Sequence, residues 1–107
     1  MAPDFYEENG YKCLNGRAYV EGGPYCHTKL CLVATDLAHL IRTLETLAAR
    51  EDCFWVKYGP EPREGMYLGR AFFTEAATVG ALWAAFKRDP KLFCSMQDDD
   101  FALAYRG

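Results

Sequence analysis

What most constrains this chain is the order in which two hydrophobic periodicities alternate along it. From Lys29 onward the apolar residues repeat with the spacing of strand, helix, strand, strand, helix and strand, and a hairpin signal stands in front. Two helices interrupting four strands at these distances fit an α+β architecture. The arrangement expected is a ferredoxin-like β-α-β-β-α-β sandwich, an antiparallel sheet with two helices on one face, preceded by an N-terminal β-hairpin. A chain of 107 residues supports one core, so 1–107 reads as a single domain, with 1–28 as an extension carrying the hairpin and 29–107 as the sandwich.

The individual elements have physical signatures. Residues 11–14 and 17–20 flank Asn15-Gly16, a dipeptide suited to the two positive φ angles of a type I′ turn. Residues 29–34, rich in Leu and Val, read as a mostly buried strand. Thr35 and Asp36 offer N-cap oxygens to a helix starting at Leu37, in which Leu37, Leu40, Ile41, Leu44, Leu47 and Ala48 fall on one stripe. Residues 53–58 and 66–73 are dense in aromatic and apolar side chains and are joined by the turn-rich link 59–65, which predicts a long hairpin. Thr74 is placed to cap a second helix carrying Val79, Leu82, Trp83 and Phe86, and Pro90 forbids its continuation. Gly80 weakens that helix by ~1 kcal/mol relative to alanine unless it permits a close approach to the sheet, which is the expectation here. Residues 93–97 and 101–105 form either one bulged strand or a closing hairpin with Asp98-Asp99-Asp100 as its turn.

Composition narrows function mainly by exclusion. The longest apolar runs fall well short of the ~20 residues that cross a bilayer, and the opening residues lack the basic leader and apolar core of a signal peptide. A cytoplasmic protein is expected, its five cysteines reduced and behaving as small hydrophobes. A formal net charge of −3 is opposite in sign to the footprint that nucleic-acid backbones select, so direct nucleic-acid binding is disfavoured. Lys87, Arg88 and Lys91 cluster where a helix dipole favours cations.

No motif demands chemistry. Cys13, Cys26, His27 and Cys31 lie near one another in sequence, but they lack the doubled pairs, two to four residues apart, of a structural zinc site. His27 follows Cys26, yet neighbours on an extended chain point to opposite sides, which argues against a Cys-His nucleophile. His39 falls on the polar face of the first helix, Asp36 is accounted for as a cap and Glu75 as a first-turn acid. Gly65-Met66-Tyr67-Leu68-Gly69 lacks the Lys-Ser/Thr ending of a phosphate loop. Tyr67, Phe72 and Phe73 supply rings to the third strand of the sandwich, but without the alternating Gly-aromatic order of an RNA-recognition motif. No catalytic residue, metal or cofactor is expected.

The lead that remains is a surplus surface. With both helices on one side of the sheet, the other side must be solvated, covered by the leading hairpin or buried by another chain. Alternation puts Phe54, Val56 and Tyr58 on one face with Trp55 and Lys57 on the other, and likewise sets Met66, Leu68 and Phe72 against Tyr67, Ala71 and Phe73. Both faces therefore carry large apolar groups, which a monomer rarely leaves in water. Trp55, Tyr67 and Phe73 are the expected contact anchors, or else core beneath the hairpin. Asp98, Asp99 and Asp100, with acids at Asp4, Glu7, Glu8, Glu61 and Glu64, would draw in a basic partner. The functional expectation is a non-catalytic protein-binding module, most concretely a small inhibitor or adaptor of the phage anti-defence or anti-CRISPR type that engages a nucleic-acid-handling protein. The alternative is a ferredoxin-like homodimer with a small-molecule or enzymatic site between sheet and partner subunit.

Overall fold

Asn9 and Gly10 open the structure with a tight reversal. Both adopt positive φ, 54° and 84°, the pair of values a two-residue type I′ hairpin requires. The computed structural model describes residues 5–22, 28–59 and 65–95. Along them run β1 (Tyr6–Glu8), β2 (Tyr11–Asn15), β3 (Thr28–Ala34), α1 (Leu37–Ala48), β4 (Cys53–Tyr58), β5 (Tyr67–Phe73), α2 (Ala76–Phe86) and β6 (Leu92–Ser95).

The hairpin is therefore made by β1 and β2 around Asn9-Gly10, not by 11–14 and 17–20 around Asn15-Gly16. The two dipeptides are identical, and packing distinguishes them. Gly16 lies against the backbone of Cys53, where a Cβ would stand 2.1 Å from the carbonyl oxygen. From there the chain leaves the sheet, its course pinned by the Gly16 amide donating to the Phe54 carbonyl and those of Arg17 and Ala18 to the carbonyls of Ala48 and Cys53.

The strands form one six-stranded sheet in the order β1-β2-β4-β5-β3-β6, every neighbouring pair antiparallel. Since β5 is antiparallel to both β3 and β4, those two run parallel and α1 is the crossover between them. By the same reasoning β5 and β6 run parallel, joined by α2. The architecture is α+β with two helices. The leading hairpin does not fold across the sheet but lengthens it beyond β4, so the strand order of the whole differs from that of a four-stranded sandwich.

Both helices pack on one face. Asp36 caps α1 as expected, its carboxylate accepting from the His39 amide at 3.1 Å. Leu40, Leu44 and Leu47 then meet Leu30, Leu32, Val56, Ala71, Phe73 and Val79 in the main core. The glycine that permits close approach is Gly69 on β5, where a Cβ would stand 2.9 Å from Leu40 Cδ1. At Gly80 nothing lies within 4 Å.

Thr74 does not cap α2. Glu75 occupies the N-cap without a side-chain bond, and the Thr74 amide donates to the Asp52 carbonyl at 3.0 Å. Asp52 receives the Thr78 hydroxyl as well, at 2.7 Å, so the turn before β4 anchors the start of α2. The helix ends at Phe86, ahead of Pro90. Strand β6 spans Leu92–Ser95, and the Asp98-Asp99-Asp100 run and residues 101–105 lie outside the described residues. Among the described residues no helix is long and apolar enough to cross a membrane.

Candidate binding surface

Strand register arranges the face away from the helices in rows. One row runs Cys13, Lys57, Arg70, Cys31 and Ser95 across β2, β4, β5, β3 and β6. A second runs Asn15, Trp55, Phe72 and Lys29. Leu68 and Val33 share this face and, with Cys31, form a small buried cluster of their own against which Met66 packs.

The second row holds the most pronounced feature. The Trp55 indole stacks on Phe72, ring centroids 5.4 Å apart and planes 26° from parallel. The Lys57 ammonium sits 4.2 Å from the centre of the Tyr11 ring and 5.0 Å from that of Trp55, close enough for both π faces to attract it.

Beside this stack lies a notch whose shape depends on an irregularity in β4. Cys53 pairs with Phe73 and Trp55 with Phe72, leaving Phe54 as the extra residue of a β-bulge. The bulge keeps Cys53 and Val56 in the core while turning both Phe54 and Trp55 toward a notch they share with Tyr6, Glu8 and Tyr19. The walls are held in place. The Trp55 Nε1–H donates to the Tyr6 hydroxyl at 3.0 Å, and that hydroxyl donates to Asn15 Oδ1 at 2.7 Å. Tyr19 packs on Phe54 with centroids 5.3 Å apart. Partial burial raises the Tyr6 phenol above its ordinary pKa, against the opposing influence of the Trp55 hydrogen bond.

The residues expected as contact anchors separate here. Trp55 is on the open face. Phe73 is completely buried in the main core, opposite Cys53, and so cannot serve as an anchor. Tyr67, paired with Ala34, packs against that same core on the helix side. The reason is the two-residue period of β5, which sends 67, 71 and 73 to the helices and leaves Phe72 to meet Trp55. Phe72, Tyr6 and Tyr19 were not singled out as anchors. The alternation of β5 points to Phe72, whereas no local pattern announces the notch. Asp98, Asp99 and Asp100 are outside the described residues, as are Asp4, Glu61 and Glu64.

Cys13 and Cys31 do not converge. They are three strand spacings apart, ~14 Å, whereas two thiolates on one zinc must lie within about 4 Å of each other. Cys26 and His27 are outside the described residues, and among those described no three His, Cys, Asp or Glu side chains gather in a metal-binding group. Burial pushes the Cys94 thiol up to about 12 and raises Cys13 also, with Glu8 adding to the rise and Lys57 opposing it. His39 is engaged across the helix layer, its Nε2 2.8 Å from the Asp89 carboxylate, which this contact holds below the usual carboxylate range.

Comparison with known proteins brings no match: no family model fits the chain, and neither a curated protein nor a solved structure is significantly similar to it.

Proposed function

We propose that this chain is a non-catalytic protein-binding module whose contact surface is the open sheet face around Trp55. The observation that carries this reading is the Trp55–Phe72 stack, with Lys57 over it and Tyr6 bonded to its edge, on a face to which neither helix contributes. Half-buried aromatic side chains held rigid by neighbours are the groups that dominate interface energetics. Within this reading the segment from β3 to β6, with its two crossovers, is a ferredoxin-like unit, and the β1–β2 hairpin widens its open face. A net charge of −3 favours a basic partner. The most concrete version remains an inhibitor or adaptor, of the phage anti-defence or anti-CRISPR type, that occupies a basic groove of a nucleic-acid-handling protein.

The test is capture from lysate by the tagged chain, with and without nuclease, set beside Trp55→Ala and a melting curve for each protein. A stoichiometric protein retained after nuclease by the wild type and lost by the folded variant supports the proposal. Capture that vanishes with nuclease would instead make the face a stacking platform for single strands, alongside Lys29, Lys57 and Arg70. Concentration-dependent scattering with no other chain bound would make it a homodimer interface.

A further inference from the structure

The notch beside the β4 bulge is suited to one kind of chemical group. Four aromatic residues, Tyr6, Tyr19, Phe54 and Trp55, line it together with Glu8, Val20 and Gly22. A ring face carries partial negative charge and attracts a cation, and the Glu8 carboxylate adds a full one. At about 260 Å³ the space lies just below the ~300–1,000 Å³ of small-molecule sites, and it suits the head of a single long side chain. Tyr6 and Tyr19 are 37% and 40% exposed, so a ligand can reach their rings from solvent. The hydrogen bonds from Trp55 through Tyr6 to Asn15 fix two walls before any ligand arrives. On the adjoining surface the chain already places a cation of its own, Lys57, over Tyr11.

We infer that this notch receives the guanidinium of an arginine side chain from a partner protein, a refinement that rests on the protein-binding reading above. Arginine fits better than lysine because its planar head stacks on rings, is weakly hydrated and presents a fork of donors to a carboxylate. Glu8 would take the fork while the rings enclose the plane.

The Trp55 indole N–H resonance reports directly on the notch. Titration of the ¹⁵N-labelled protein with acetyl-Gly-Arg-Gly-amide should shift that resonance saturably in the millimolar range. The citrulline peptide, uncharged and of nearly the same shape, should bind at least fivefold more weakly. Glu8→Gln, an exposed change that leaves the fold intact, should weaken the arginine peptide about three- to tenfold, and Tyr19→Ala should do likewise. Equal response to arginine and citrulline, or no saturable shift at either, overturns the inference. In that event Trp55-dependent capture of a protein from lysate would still stand, so the two ideas fail separately.

Discussion

The same substitution, glycine to alanine, should act with opposite sign at two positions. Gly80 sits in the interior of α2, and a Cβ there would meet nothing within 4 Å. Alanine adds helix propensity and removes backbone freedom from the unfolded chain, together ~0.5–1 kcal/mol of stability. Gly16 is the reverse case. Its Cβ would lie 2.1 Å from the Cys53 carbonyl oxygen and 2.7 Å from the carbonyl carbon, and both are backbone atoms of β4 that cannot swing aside. Overpacking of this kind costs about 1–3 kcal/mol. Any movement also strains the hydrogen bonds that the Gly16 and Ala18 amides donate to the Phe54 and Cys53 carbonyls, which are 3.0 and 2.9 Å long.

An unfolding entropy of ~2.1 cal/mol/K per residue gives about 0.22 kcal/mol/K over 107 residues. Gly80→Ala should therefore raise the melting temperature by roughly 2–5 °C, and Gly16→Ala should lower it by roughly 5–13 °C. Calorimetry of the two variants and the parent decides the matter. A neutral Gly16→Ala would mean that the chain just after β2 does not press on Cys53 as described. A destabilising Gly80→Ala would mean that α2 packs through that position after all.

Two further predictions concern titration and reactivity. The Arg50 guanidinium, bonded to Asp52 at 2.9 Å, and the Thr78 hydroxyl hold the Asp52 carboxyl below the usual range. A lowered folded-state pKa stabilises above the unfolded value and is lost as pH falls through the folded one, so stability should decline below about pH 4. Urea titrations across that range should show a shallower decline in Asp52→Asn. Cys13, Cys31, Cys53 and Cys94 are all buried, and the Cys94 thiol is pushed up to about 12. Peptide mapping after brief iodoacetamide treatment at pH 8 should find these four unmodified in the native protein and alkylated in denaturant, and rapid native labelling of Cys94 would contradict its burial.

The way sequence patterns met or missed the structure separates local from non-local information. The α1 stripe and the Asp36 cap were legible because their determinants lie within four residues of one another. Choosing Asn9-Gly10 over Asn15-Gly16 was not legible, because the deciding contact is with Cys53, far along the chain. Thr74 has cap chemistry, but the carbonyl of Asp52, brought close by the β4–β5 pairing, engages its amide and leaves Glu75 at the N-cap. Close approach was expected at Gly80, and it occurs at Gly69 instead, which nothing local announces because it depends on the position of α1 over β5.

The candidate surface follows the same division. Alternation set Phe72 against Tyr67 and Phe73 without showing which set shares a face with Trp55, and only register makes Trp55 and Phe72 partners and puts Phe73 opposite Cys53 in the core. The notch depends on one further event, a single extra residue in β4. A strand without the bulge would send Phe54 to the face opposite Trp55, and the two could not line one cavity. Aromatic content therefore marks where a surface of this kind can arise, while a one-residue irregularity in pairing decides which rings face each other and what they can hold.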